Sequence, residues 1–170
     1  MVLPLVERKT KATKSIDALT VLLQLGSVHK DGLDGASIRS QIACIVMILQ
    51  SLETKNDVWE NDIVKKSFTL LLRYSINESG KVRHQAQNEL EKLFKQHRED
   101  KFILSSQMLM TYLTNLNDMF DGKDAKDITY FLALVARLSP YLDSSVYESF
   151  LSILMKVCFL CLNISCYFTI

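Results

Sequence analysis

Apolar residues return every three to four positions in seven separate stretches of this chain, the spacing of one face of an α-helix. The first stretch, about 13–28, places Ile16, Leu19, Leu22, Leu23 and Leu25. The second, about 36–54, aligns Ile38, Ile42, Ile45, Val46 and Leu49, while Cys44, Met47 and Ile48 widen the stripe. A helix apolar over that much of its circumference is expected to lie buried between neighbours. In the third, about 58–76, Ile63, Val64, Phe68, Leu71 and Leu72 share a face, and Asp57 and Glu60 of "DVWE" have the spacing of a capping box. The fourth runs from Ser79 to about residue 98. It sets Val82, Ala86, Leu90, Leu93 and Phe94 against a polar side of His84, Gln87, Asn88, Glu91 and Lys95. The fifth, about 103–120, carries Met108, Leu109, Tyr112, Leu113, Leu116 and Phe120. The sixth, about 125–138, carries Ile128, Phe131, Leu132, Val135 and Leu138, and Pro140 stops it because proline cannot continue the hydrogen-bond ladder. The seventh opens near Asp143 or Ser144 with Val146, Phe150, Leu151 and Leu154.

Turn-forming clusters separate these stretches: "HKDGLDG" at His29–Gly35, "NESG" at Asn77–Gly80 and "DGKDAKD" at Asp121–Asp127. Two consecutive helices occupy roughly 40–45 residues, inside the ~40–47 band of HEAT and armadillo repeats. One amphipathic hairpin cannot bury its apolar face alone, and stacking hairpins makes a continuous core. The expected fold is all-α: a HEAT/armadillo-like α-solenoid of antiparallel helix pairs, about seven helices in all. A globular helical bundle is the competing arrangement.

Composition narrows the picture without changing it. The chain has 170 residues, 48% of them hydrophobic, with only 5 Gly and 2 Pro, too few breakers for an all-β fold or for disorder. Twenty Lys and Arg stand against 19 Asp and Glu, so the basic excess of a dedicated nucleic-acid-binding domain is missing. Any RNA contact must come from a local patch or lie elsewhere. Cys44, Cys158, Cys161 and Cys166 form no framework spread along the chain, which suits a reducing compartment. The amino-terminal "MVLPLVERKTKATK" has its charge after its apolar residues, the reverse of a signal peptide.

The stretch "KVRHQAQ" at the head of the fourth helix resembles the second helix of HEAT repeats, which often begins with Val-Arg and has Ala three residues on; Val82, Arg83 and Ala86 match. Val and Ala are small enough for close helix packing, and Arg can lay its stem over the packed surface to reach carbonyls or acids of the adjoining turn. The longer run "KNDVWENDIVKKSFTLLLRYSINESGKVRHQAQNEL" is similar to a segment of the RRP-twelve-like ribosomal RNA processing HEAT-repeat family, with its NUC-type domain. The resemblance rests on Trp59 after an acidic turn, on Val64, Phe68, Leu71 and Leu72, and on Lys81 through Gln87. It covers about 36–156, a small part of a much longer family. What it implies is a non-enzymatic scaffold of the nucleus and nucleolus. Such a scaffold would accompany pre-ribosomal particles, assist rRNA processing and subunit maturation, and contact their proteins, rRNA and nuclear transport factors. The positions carried over are repeat-packing ones: Val82, Arg83 and Ala86, with Trp59 as an anchor and Leu90 on the same buried stripe.

The basic edge of the fourth helix is the RNA-binding candidate: Lys81, Lys92, Lys95, Arg98 and Lys101, with Arg83 among them. Neutralising phosphates releases counterions and would give salt-sensitive binding. The plainer alternative is a solvated face, because Glu89, Glu91, Glu99 and Asp100 are interleaved and can pair locally. Arg8, Lys9, Lys11 and Lys14 are either a nuclear-import or phosphate-binding patch or simply an exposed helix start. Trp59 is either a partner contact or a packing plug. "CFLC" at Cys158–Cys161 lacks the four-ligand spacing of a zinc site and a neighbouring strand for redox work. His29, His84 and His97 are scattered, so no catalytic residue, metal or cofactor is assigned.

Two segments are expected: a HEAT-like repeat region over 1–156 and an apolar tail over 157–170, "VCFLCLNISCYFTI", read as a non-native or truncated end. The tail is short for a bilayer span, and extending it upstream includes Lys156. The alternatives to a ribosome-biogenesis scaffold are a generic HEAT or armadillo adaptor related to transport receptors, and a tail-anchored membrane protein.

Overall fold

The computed structural model describes residues 3–28, 33–52, 57–97, 101–120, 125–152 and 155, and all that follows concerns these. Six helices are α1 (Leu3–Val28), α2 (Gly35–Ser51), α3 (Asp62–Tyr74), α4 (Gly80–Gln96), α5 (Lys101–Phe120) and α6 (Ala125–Leu138). A seventh, α7, covers residues 144–152. Short 3-10 turns occupy Asp57–Glu60 and Ser139–Tyr141. No strand occurs among the described residues.

Short polar side chains mark where helices begin. The Asp34 carboxylate accepts the backbone N–H of Ser37 at 2.6 Å and starts α2. That bond holds the Asp34 carboxyl below its usual range. Asn61 does the same for α3, accepting from the N–H of Ile63 at 2.9 Å. The capping box expected at Asp57 and Glu60 is therefore not the start of α3. Those residues form the preceding 3-10 turn, which turns Trp59 into the core, and Glu60 instead reaches forward to Lys65 Nζ at 2.7 Å.

The helices pair as hairpins: α1 with α2, α3 with α4, α5 with α6. Beyond the hairpins, α1 packs on α3 and α3 on α5, while α2 packs on α4 and α4 on α6. Odd helices thus form one layer and even helices the other, each in chain order, as stacked hairpins require. The even helices begin at Gly35, Gly80 and Ala125, 45 residues apart each time. One apolar cluster runs the length of the stack, from Leu19 of α1 to Phe150 of α7. Aromatic pairs cross its joints: Phe68 and Phe94 lie 6.2 Å apart between α3 and α4, and Phe131 and Phe150 lie 6.0 Å apart between α6 and α7.

Several expectations need correction. α1 begins at Leu3, ten residues before the expected start, because good helix formers such as Lys and Ala carry a helix beyond the stripe that periodicity marks. Pro4 sits in its first turn, where no N–H is needed. Gln87, placed on the polar side of α4, is buried, and Leu134 of α6 belongs to the core although the pattern passes over it. Cys44 and Met47 of α2, expected to be enclosed, are exposed, Met47 by 67%. The side chains of Tyr112, Leu113, Leu116, Phe120 and Ile128 lie outside the described residues.

Candidate functional site

α4 is the middle helix of the even layer and carries most of the residues singled out in the sequence. Val82, Ala86 and Leu90 are at most 1% exposed and form its inner face with Leu93 and Phe94. Trp59 is buried with its ring edge-on to Phe68 at 6.4 Å and to His97 at 5.4 Å, plugging the space below the last turn of α4. Its indole N–H has no acceptor among the described residues.

Arg83 ties three pieces together. Its Nη1 donates to the carbonyls of Asn77 at 2.8 Å and Glu78 at 3.2 Å, closing the turn that feeds α4. Its guanidinium lies 3.7 Å from the centroid of the Tyr130 ring on α6, a cation–π contact across the joint between hairpins. Lysine could supply the charge but not the planar stack with a shared donor.

Polar side chains lace the even layer at a constant step. Gln85 Nε2 donates to the carbonyl of Arg39 at 3.0 Å, and Gln96 Nε2 to that of Gln50 at 2.9 Å. Arg137 Nε donates to Glu91 Oε2 at 2.6 Å. Each bond joins residues 46 apart, one repeat plus one position. Two buried glutamines, also 46 apart, join helices within the hairpins: Gln41 Nε2 donates to the carbonyl of Leu22 at 2.6 Å, and Gln87 Nε2 to that of Ser75 at 3.0 Å. Gln41 Oε1 further accepts from the Tyr74 hydroxyl at 2.7 Å, and burial pushes that phenol's pKa up. Reading the sequence for apolar periodicity misses these groups. The signal available was a glutamine about two turns into the second helix of two successive hairpins, shifted by one position.

The basic edge is a mixed one. Lys81, Lys92 and Lys95 are exposed along one side of α4, beside His84 and Asn88. Lys92 Nζ pairs with Glu89 at 2.7 Å, and Lys95 Nζ with Glu91 at 2.7 Å. Glu91 receives both Lys95 and Arg137, and these two bonds hold its carboxyl below the usual range. Lys95 is raised in turn, first by Glu91 and then by the Tyr141 hydroxyl, whose ring its ammonium also overlies at 5.3 Å. A phosphate approaching Lys92 or Lys95 must therefore share them with a carboxylate, whereas Lys81 has no ion pair with an acid among the described residues. Arg98 and the side chain of Lys101 lie outside the described residues, as do the side chains of Arg8 and Lys9; Lys11 and Lys14 are exposed on α1. Cys158, Cys161, Cys166 and the whole tail 157–170 also lie outside them.

Among the described residues no three His, Cys, Asp or Glu side chains come together as a metal site. Among the same residues, no helix is long and apolar enough to cross a membrane.

Stacked hairpins in two ordered layers, stepping by 45 residues, define an α-solenoid of the HEAT type. The chain belongs to the RRP12-like family: the model for RRP12-like, N-terminal HEAT repeats matches residues 1–163. That match is wider than the 36–156 span over which the residues themselves carry the resemblance. No curated protein and no solved structure matches the chain. Membership of this family makes the chain a helical-repeat scaffold associated with ribosome biogenesis, in a family that is typically non-catalytic.

Proposed function

We propose that this chain is a non-enzymatic scaffold that works on pre-ribosomal particles in the nucleolus and nucleus. It assists pre-rRNA processing and the maturation and export of ribosomal subunits by holding pre-ribosomal proteins, rRNA and nuclear transport factors on its outer surfaces. The observation that carries this reading is the match to RRP12-like N-terminal HEAT repeats over residues 1–163. The architecture supports it: a stack of hairpins spends its apolar faces on its own core and leaves two long helical layers for docking.

The RNA-contacting group in this reading is Lys81, Lys92, Lys95, Arg98 and Lys101. Lys81 is the least engaged of these among the described residues, since Lys92 is paired with Glu89 and Lys95 with Glu91 and Tyr141. Crosslinking in living cells followed by sequencing of bound RNA tests the proposal. Enrichment of pre-rRNA together with ribosome-assembly factors is the expected outcome. Recovery of transport cargo alone, without pre-rRNA or assembly factors, would replace it with the adaptor reading.

A further inference from the structure

The outer face shared by α4 and α6 carries an excess of positive charge. The two helices hold Lys81, Arg83, Lys92, Lys95, Lys126 and Arg137 against Glu89, Glu91 and Asp127, in a chain whose totals are 20 and 19. The carboxylates paired on this face are set low. Lys92 exposes 62% of its side chain against 20% for Glu89, and Lys95 and Arg137 expose 47% and 37% against 18% for Glu91. Each pair thus turns its cation outward, and an approaching molecule meets positive charge first. Stacked hairpins extend a layer at its ends, so a further hairpin leaves this face open. The cations fall in two rows. Lys81 and Lys126 are exposed, 45 residues apart, near the starts of α4 and α6. Lys92 and Arg137 are exposed, also 45 apart, and stand eleven residues further along the same helices. Eleven residues make about three turns, so both rows face the same way, about 16 Å apart along the axes. Between the rows, Asn88 of α4 and Ala133 of α6 are exposed. On the side of α2 the exposed positions Ala36, Ala43 and Met47 are uncharged.

Two cationic rows with small, uncharged side chains between them suit two lines of phosphate with a shallow surface between. Single-stranded nucleic acid is held differently, by rings on which successive bases stack. Among the described rings of α4, α6 and the turn after α6, His84 is exposed, while Phe94 and Phe131 are buried. Tyr130 and Tyr141 are half-buried, and each already carries a cation on its ring, Arg83 and Lys95 respectively. One exposed ring is no platform for a run of bases. An RNA double helix presents what the patch can take: a wide, shallow minor groove with phosphates on both rims and 2′-hydroxyls between them. We propose that the outer face of α4 and α6 binds double-stranded RNA across its minor groove. Phosphates of one strand lie at Lys81 and Lys126, and those of the other at Lys92 and Arg137. The Asn88 amide, which both donates and accepts, meets the 2′-hydroxyls between the rows. The proposal rests on the RNA contact argued above and names the form of RNA that makes it. Recognition is of backbone and shape, so base sequence matters little.

The test is fluorescence anisotropy of the purified full chain across a salt series with three probes. These are a synthetic RNA duplex of about 16 base pairs, one of its strands alone, and the DNA duplex of the same sequence. The RNA duplex should bind about tenfold or more tightly than either of the others. Lys81→Gln combined with Lys126→Gln removes two phosphate contacts, so its salt slope should be shallower by about two and its affinity for the RNA duplex lower. Lys66→Gln, at an exposed position of α3 in the other layer, should change neither. Asn88→Ala should narrow the preference for the RNA duplex over the DNA duplex, and circular dichroism should show the helical fold retained in every variant. Equal or tighter binding of the single strand would overturn the duplex inference and leave an RNA contact in place. Binding of neither RNA would remove the RNA contact itself and the inference with it. Displacement of the duplex by poly-glutamate at equal charge would make this a surface for acidic protein instead. An unaltered salt slope in the double variant would place the duplex elsewhere on the chain.

Discussion

Arg137 of α6 and Glu91 of α4 meet at 2.6 Å, 46 residues apart, and Glu91 simultaneously receives Lys95 from its own helix. One carboxylate thus couples two successive hairpins of the even layer. Its pKa is lowered, chiefly by the bond from Lys95 and next by that from Arg137. A carboxyl whose folded value lies below its unfolded one adds stability above the unfolded value, near 4.5, and loses it as pH falls through the folded value. Glu91→Gln should therefore lower the melting temperature at neutral pH and flatten its decline between neutral pH and about pH 3. The partners are partly exposed, so the effect is of the surface-pair kind, about 0.2–1 kcal/mol, and shrinks with added salt. Thermal melts of both proteins across that pH range give the answer. Parallel curves would mean that Glu91 plays no part in joining the hairpins.

Leu90 is fully buried on α4 and belongs to the continuous core. Leu90→Ala should cost about 2–5 kcal/mol in urea unfolding, the range for a large-to-small change at a packed site. A loss well below that would show that α4 does not turn this face inward.

Gln41 bridges α1, α2 and α3 through Leu22 and Tyr74. Gln41→Leu leaves a carbonyl and a hydroxyl without their partner, each half-shielded from water. A destabilisation of about 1–3 kcal/mol is expected, measured by the same denaturation. The reverse sign would make this residue a tolerated polar defect instead of a tie between hairpins.

Much of this fold is legible from the chain, and the failures have physical causes. Apolar stripes located all seven helices because stacked hairpins bury one face of each, as with Val82, Ala86 and Leu90. The boundaries slipped where a helix runs on past its legible apolar stripe, as ahead of residue 13 in α1. They slipped again where two candidate caps compete, and Asn61 is the residue that caps α3. Gln87 escaped because a side chain's polarity says nothing of burial when a carbonyl such as that of Ser75 waits inside. The charge edge was legible as a list of cations. Which of them were already held, Lys92 by Glu89 and Lys95 by Glu91, depends on rotamers that sequence does not encode.

Those ion pairs set the design for testing RNA contact. Reversing Lys95 would also disturb Glu91 and Arg137, so a combined Lys81→Glu and Lys92→Glu variant is the cleaner probe. Lys92→Glu loses a surface pair with Glu89 and sets two carboxylates side by side, each effect about 0.2–0.5 kcal/mol. Filter binding of pre-rRNA across a salt series should show weaker binding and a shallower salt slope in the variant, with unfolding shifted by no more than about 1 kcal/mol. An unaltered slope would remove this edge from the RNA-binding surface.

The ordered stack is most directly tested by one distance. Ala43, Asn88 and Ala133 are exposed, 45 residues apart, on α2, α4 and α6. Spin labels at Ala43 and Ala133, with the native cysteines replaced by serine, report whether α4 stands between α2 and α6. Packed neighbours lie about 8–10 Å apart, so the solenoid predicts a separation near two such steps, roughly 16–20 Å before allowance for the label arms. A distance of about one step would place α2 against α6 and contradict it.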